Sequence, residues 1–142
     1  MANIKKGFEG ILYYGTAGST AATQLLGCGD ITIGGDVERG NTTARGDSTV
    51  PPIETEDVTI RKLSIEFDML FDSTDTSLAA LNTAWSTGAG VALRGKEYSS
   101  GKGPDADFTL SRSAPWKLKD TQVVTFTATP TRSYGRTPSN YV

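Results

Sequence analysis

A mainly β domain with one short helix is predicted by three features of the sequence. Apolar residues alternate with polar ones wherever they cluster, which is the period of a strand with one buried face. The 142 residues include 20 Thr and 12 Ser beside 16 Gly and 6 Pro. Thr suits half-buried sheets, and Gly and Pro punctuate turns. Only one stretch, residues 74–87, carries a helical period, with Leu78, Leu81 and Trp85 on one stripe. The length fits a single domain, 1–142, with one core.

The elements follow in order. Gly10-Ile11-Leu12-Tyr13-Tyr14 reads as a short strand ended by Gly15. Residues 16–23 are small and polar, a turn. Residues 24–33 resume as a strand, with Ile31 and Ile33 opposing Asp30 and Thr32, and with a kink expected where Cys28 sits between Gly27 and Gly29. Residues 34–57 lack an apolar period and are too long for an ordinary loop. They are expected to be a projecting loop or hairpin, an arm ordered against a neighbour, with Pro51-Pro52 stiffening its exit. Residues 58–71 read as the longest strand: Leu63, Ile65, Phe67, Met69 and Phe71 on the core face, Lys62, Ser64, Glu66 and Asp68 on a wet one.

The helix comes next, with Asp72, Ser73, Thr74 and Asp75 as N-cap candidates and Gly88 and Gly90 to end it. Residues 91–97 are a strand and 98–105 a Gly-rich loop. Ala106, Phe108 and Leu110 then alternate with Asp107, Thr109 and Ser111. Ala114-Pro115-Trp116 breaks that run, and a last strand sets Val124, Phe126 and Ala128 against Thr125, Thr127, Thr129 and Thr131. Residues 133–142 are a polar tail that either reaches a neighbour or stays loose. The expected core is Ile65, Phe67, Met69, Leu78, Leu81, Trp85, Phe108, Val124 and Phe126.

Several function classes are excluded. The chain has no histidine, which removes Ser-His-Asp and Cys-His catalysis and His-based zinc sites. Its one cysteine, Cys28, allows neither an internal disulfide nor a Cys-rich metal knuckle. No apolar run reaches the ~18 residues that span a bilayer, and residues 1–7 lack the apolar region of a secretory signal. No membrane association is expected, and synthesis in the cytoplasm is. The net charge of −2 hides a polarity: residues 30–57 carry seven acids and two bases, residues 98–142 six bases and three acids. Bulk charge argues against nucleic-acid binding but allows copies to meet by complementary charge.

The candidate sites are weak as chemistry. Glu66 and Asp68 are neighbouring carboxylates, which general acid/base catalysis uses, yet a wet β face normally looks this way. Arg45-Gly46-Asp47 spells an integrin-binding tripeptide, a sequence that also recurs by chance. Asp30, Asp36 and Glu38 offer oxygen ligands but not the spacing of a calcium loop. The glycine pairs Gly34-Gly35 and Gly101-Lys102-Gly103 precede no helix and so make no phosphate loop. Tyr13, Tyr14, Tyr98 and Trp116 lack the basic interleaving of a single-strand platform. Neither an active site nor a cofactor is expected.

The likeness to a known family rests on longer stretches. They are Lys5-Lys6-Gly7-Phe8-Glu9-Gly10-Ile11-Leu12-Tyr13-Tyr14-Gly15, Asp30-Ile31-Thr32-Ile33, Thr42-Thr43-Ala44-Arg45-Gly46-Asp47, Ser64-Ile65-Glu66-Phe67-Asp68-Met69-Leu70-Phe71-Asp72, Gly103-Pro104-Asp105-Ala106-Asp107-Phe108 and Val124-Thr125-Phe126-Thr127-Ala128-Thr129-Pro130-Thr131. In this order the chain resembles the tail tube proteins of long-tailed phages, a group related in fold to the tube protein of type VI secretion. That resemblance implies a β-sandwich or barrel-like tail-tube fold with one flanking helix. It implies six-membered rings stacked head to tail into a hollow virion tail through which genomic DNA passes without specific binding. It also implies further tail partners: a terminator, a tape measure and a baseplate or tip.

Lys62, Ser64, Glu66 and Asp68 are the candidate lumen lining, because Glu66 and Asp68 repel phosphate, although Lys62 on the same face argues partly against it. The Thr row at 125–131 is the alternative lining. Asp36, Glu38, Arg39, Arg45 and Asp47 are the candidate contacts of the inter-subunit arm. Another virion structural protein, such as a capsid decoration or head–tail connector protein, and a cellular β-sandwich binding module remain alternative readings.

Overall fold

The computed structural model describes residues 3–44 and 51–142. Its strands are β1 (Ile11–Thr16), β2 (Thr23–Gln24), β3 (Cys28–Gly34), β4 (Val37–Asn41), β5 (Glu56–Arg61), β6 (Ser64–Leu70), β7 (Val91–Lys96), β8 (Asp105–Ser113) and β9 (Val123–Thr131). The helix α1 spans Thr76–Thr87, between β6 and β7. Seven strands form one antiparallel sheet in the order β2-β1-β7-β8-β9-β6-β3. β4 and β5 pair only with each other, as a separate hairpin.

The sheet rolls toward a barrel. A Cβ placed on Gly95 of β7 would lie 3.2 Å from Ile33 Cδ1 of β3, although three strands separate these two in the sheet. The roll leaves a seam between β1 and β3, a cleft of about 910 Å³. The bulge expected at Cys28 is present: the β3–β6 register shifts between Cys28 and Ile31.

Period-two alternation builds the core. Ile65, Phe67 and Met69 of β6, Val124, Phe126 and Ala128 of β9, and Ala106 and Phe108 of β8 are fully buried on the inner face. The Phe67 and Phe126 rings meet at 5.5 Å between centroids, tilted by 30°. α1 closes this core with Leu78, Leu81 and Ala84. Its caps are the residue types expected. Asp75 Oδ1 accepts from the backbone N–H of Ser77 at 2.9 Å, and Gly88 ends the helix at φ 75°, where only glycine sits without strain.

Four expectations are corrected. Residues 58–71 are not one strand. The chain changes partner at Lys62-Leu63, so β5 belongs to the arm and β6 to the core sheet. The apolar alternation slips by one residue at the junction, from even positions (Val58, Ile60) to odd ones (Leu63, Ile65, Phe67, Met69), and that slip marks where pairing changes. The arm therefore extends to Arg61, and Phe71, expected in the core, lies past β6 and is exposed. Trp85 is also not a core residue: in the last turn the small Ala84 faces the sheet, and Trp85 sits at the margin, 42% exposed, with its ring 5.1 Å from the Arg112 guanidinium.

The tail is neither loose nor extended away. Tyr134 Oη accepts from the Gly90 N–H at 2.8 Å, Ser139 pairs its backbone with Asp105, and Val142 with Gly103. Gly90 has no room for a Cβ, because the Tyr134 ring lies against it.

Candidate functional site

Cross-strand register joins the polar sides of four adjacent strands into one outer surface. Thr32, Glu66, Thr127 and Ser111 stand in a row across β3, β6, β9 and β8. Asp68, Thr125 and Ser113 form the row beside it, and Thr129 and Thr109 the row on its other side, where Ser64 also lies opposite Gly34. Side chains alternate between faces along a strand, so every residue of these rows faces away from the core. The two linings weighed from the sequence, Ser64-Glu66-Asp68 and the Thr row, are thus a single face.

The chemistry of this face is uniform. It presents hydroxyls and two carboxylates, and no Lys or Arg occupies any of the positions named. Asp68 Oδ1 accepts from Thr125 Oγ1 at 2.7 Å, while Glu66 points to solvent. Lys62 does not join it. It lies beyond the start of β6 at the base of the arm, with Nζ 3.0 Å from Glu38 Oε1. That hydrogen bond holds the Lys62 ammonium above its ordinary pKa.

Asp107 has the alternation of the same face yet is fully buried, because the loop 132–138 folds over it. Arg136 Nη1 donates to Asp107 Oδ1 at 3.1 Å and to the Ser19 carbonyl at 2.7 Å, and Nη2 donates to Asp105 Oδ1 at 2.7 Å. The Gly18 N–H adds contacts of 3.1 Å to both Asp107 oxygens. This cluster lies at the β7 side of the hydroxyl face and is structural, pinning the tail.

The arm is the second candidate surface. No side chain of β4 or β5 is buried. Val37, Val58 and Ile60 are exposed along it, although a two-stranded hairpin with no covered face is only marginally stable in water. Asp36, Glu38 and Arg39 lie at its proximal end. Arg45 and Asp47, and with them the Arg45-Gly46-Asp47 tripeptide, lie outside the described residues. Asp30 sits on β3 and does not converge with Asp36 and Glu38; among the described residues no three His, Cys, Asp or Glu side chains gather to hold a metal. Among them, too, no helix is long and apolar enough to cross a membrane.

Cys28 lines the seam and packs against the core. Burial, with the carboxylates of Asp75 and Asp68 adding to it, pushes its thiol up to about 11. Thiolate is the reactive form, so at pH 8 the native thiol should alkylate roughly 100-fold more slowly than in the unfolded chain. Iodoacetamide labelling followed by mass spectrometry, with and without denaturant, checks this. Equal rates would mean that the thiol is solvated.

Sequence reasoning missed three features of these surfaces. Thr109, Ser111 and Ser113 show their alternation in the sequence, but nothing local says that β8 lies beside β9 and presents them next to Thr127. The burial of Asp107 and the role of Arg136 depend on a contact 29 residues apart and carry no local signal. Trp116 and Leu118, 78% and 99% exposed in the loop between β8 and β9, are visible as residues, but their exposure is not.

No protein-family model and no curated protein matches the chain at the level of sequence. Solved structures do match it in fold. One is a chain from the tail of an empty gene transfer agent (GTA) particle computed with helical refinement in C6 symmetry: TM-score 0.73, 14% identity, covering 96% of this chain and 98% of that one. Another is a chain from the virion of a native gene transfer agent particle: TM-score 0.70, 12% identity, with the same coverage. The tail-tube fold implied by the sequence resemblance is therefore the fold of this chain.

Proposed function

We propose that the chain is the major tube subunit of a phage-type virion tail, assembled from stacked rings that enclose a channel for DNA. The observation that carries this reading is the hydroxyl face spanning β3, β6, β9 and β8. A channel for DNA needs a wall that the polyanion does not adhere to, and phosphate affinity comes mainly from Lys and Arg. A four-strand face of Thr, Ser, Glu and Asp meets that need. The likeness to chains of gene transfer agent particles, one of them solved as a C6 tail, supports six copies per ring.

The sheet edges support self-assembly as well. The β1 edge is partly covered by β2 and by Leu25, whose N–H donates to the Leu12 carbonyl at 2.9 Å, but β3 pairs only with β6, so the β3 end of the sheet exposes ladder groups. Such an edge invites pairing in a monomer, and ring closure would cover it. The exposed aliphatic side chains of the arm want a partner for the same reason. The other partners of this reading are tail components: a terminator, a tape measure and a baseplate or tip. The polypeptide itself carries no reaction in it.

Negative-stain electron microscopy of the purified protein across concentration tests the reading. Rings or tubes with an open channel are expected. Particles that stay monomeric or trimeric at every concentration would favour a capsid decoration role instead.

A further inference from the structure

We infer that the recess between β7 and the turn 16–22 is a binding site for a small oxyanion of the phosphate type, held by Arg94 and Lys96. The site is independent of the tube reading and lies apart from the hydroxyl face.

The sheet builds it. Arg94 and Lys96 stand two residues apart on β7, so their side chains leave the sheet on the same side. Tyr13 of β1 lies directly opposite Arg94. The turn 16–22 folds back onto β1: a Cβ on Gly15 would lie 3.1 Å from Ala21 Cα, and Ala21 is buried. The turn is fixed from its far side, where the Gly18 N–H donates to Asp107 and the Ser19 carbonyl accepts from Arg136. Between turn and strand is a recess of about 300 Å³, lined by Tyr13, Thr20, Ala21, Ala22, Arg94 and Lys96.

The charges in it are not matched. No carboxylate lines the recess, and both cations are half-buried. Lys96 makes no ion pair among the described residues; its Nζ lies 5.3 Å from the centre of the Tyr13 ring. Arg94 makes neither an ion pair nor a side-chain hydrogen bond among them, and its Nε is wholly buried. Arg112 Nε is likewise unpartnered, but the Trp85 ring lies against that guanidinium. Asp105 stands opposite Arg94 on β8, yet it accepts from Arg136 Nη2 at 2.7 Å. Glu97, the residue after Lys96, accepts from Tyr141 Oη. Arg94, Lys96 and Arg136 together face Asp105 and Asp107, which leaves one positive charge in excess. Removing a cation from water is costly without a counter-charge, and a bound anion supplies it.

The donors select the anion. Arg94 offers the fork of a guanidinium, Lys96 a compact ammonium, and Tyr13 and Thr20 hydroxyls. They come from β7, from β1 and from the turn. A tetrahedral oxyanion has oxygens for all three sides, whereas a planar carboxylate presents two along one edge. The phosphate group belongs either to a free ion or to a nucleic-acid backbone. The turn walls the recess, which favours the free ion over a rigid duplex.

Inorganic phosphate is the first probe, at constant ionic strength. With a millimolar dissociation constant, roughly 20 mM phosphate should raise the melting temperature of the chain by about 4 °C. Phosphorus NMR should show saturable broadening of the phosphate line. Arg94→Gln with Lys96→Gln should abolish both effects. Ala22→Glu places a carboxylate at the exposed rim of the recess; it should raise the phosphate-free melting temperature and remove the response to phosphate. Duplex DNA is the second probe. Phosphate binding without DNA retention identifies the free ion, and DNA retention lost in the double glutamine variant identifies the backbone. An equal phosphate response in the parent chain and both variants, or no saturable broadening, would overturn the site.

Discussion

Replacing Arg136 by alanine should lower the melting temperature by roughly 10 °C or more at neutral pH. The argument is electrostatic. Asp107 is fully buried, and its carboxylate has two kinds of donor, the Gly18 N–H and the Arg136 guanidinium. Removing the guanidinium leaves a buried charge with a single backbone donor, a change that costs about 3–5 kcal/mol. A domain of this size has about 5–15 kcal/mol of stability in total, and each kcal/mol corresponds to about 2–4 °C. The loss also frees the Ser19 carbonyl and Asp105 and unpins the loop 132–138.

The comparison with the double replacement Arg136→Met and Asp107→Asn separates charge from packing. Removing both charges should restore most of the lost stability, because a buried ion pair contributes little net once its desolvation is counted. Thermal denaturation of the two variants checks this. A melting point for Arg136→Ala within a degree or two of the parent would mean that water already solvates Asp107.

This cluster also shows where the sequence stops being informative. Alternation places Asp107 beside Thr109 and Ser111 on the polar side of β8, and that placement is right. Its burial depends on a loop that leaves β9, arches over the sheet and returns to pair Ser139 with Asp105. No local pattern encodes that return. The core was legible because Ile65, Phe67, Met69, Val124 and Phe126 obey one period and have one destination. α1 was legible because Asp75 and Gly88 cap it by their own chemistry. Trp85 misled because apolar spacing reports which residues share a face, not what that face meets. The 58–71 run differs, because its alternation slips by one residue between Ile60 and Leu63, where the chain changes partner. Val58 and Ile60 stand out of phase with Leu63, Ile65, Phe67 and Met69 and belong to the arm, where nothing among the described residues buries them. Likewise, the candidate lumen was legible strand by strand, from Glu66 and Asp68 and from the Thr row. That these are one surface follows only from the β6–β9 pairing.

Converting Glu66 and Asp68 to lysine should leave assembly intact and stop DNA from passing freely. Glu66 is exposed and makes no ion pair among the described residues, and Asp68 loses one hydrogen bond, from Thr125, worth about 1 kcal/mol. The fold should therefore survive, and the arm is untouched. The electrostatics of the face change completely. Each subunit shifts by four charge units, from two carboxylates to two ammonium groups, and every copy around the proposed channel repeats the change. Phosphate contacts by lysine give affinity that accumulates with their number and falls steeply with salt. Duplex DNA should therefore bind the variant tubes at low salt and be released as salt rises, whereas tubes of the parent chain should bind little at any salt. Particles carrying the variant should assemble full tails yet eject DNA slowly, with ejection partly rescued by salt. Exchanging Thr127 for serine on the same face makes the control, since it alters shape without charge and should change neither property. Normal infectivity of the lysine variant, together with no retention of DNA by its tubes, would place the channel wall on another face of the sheet.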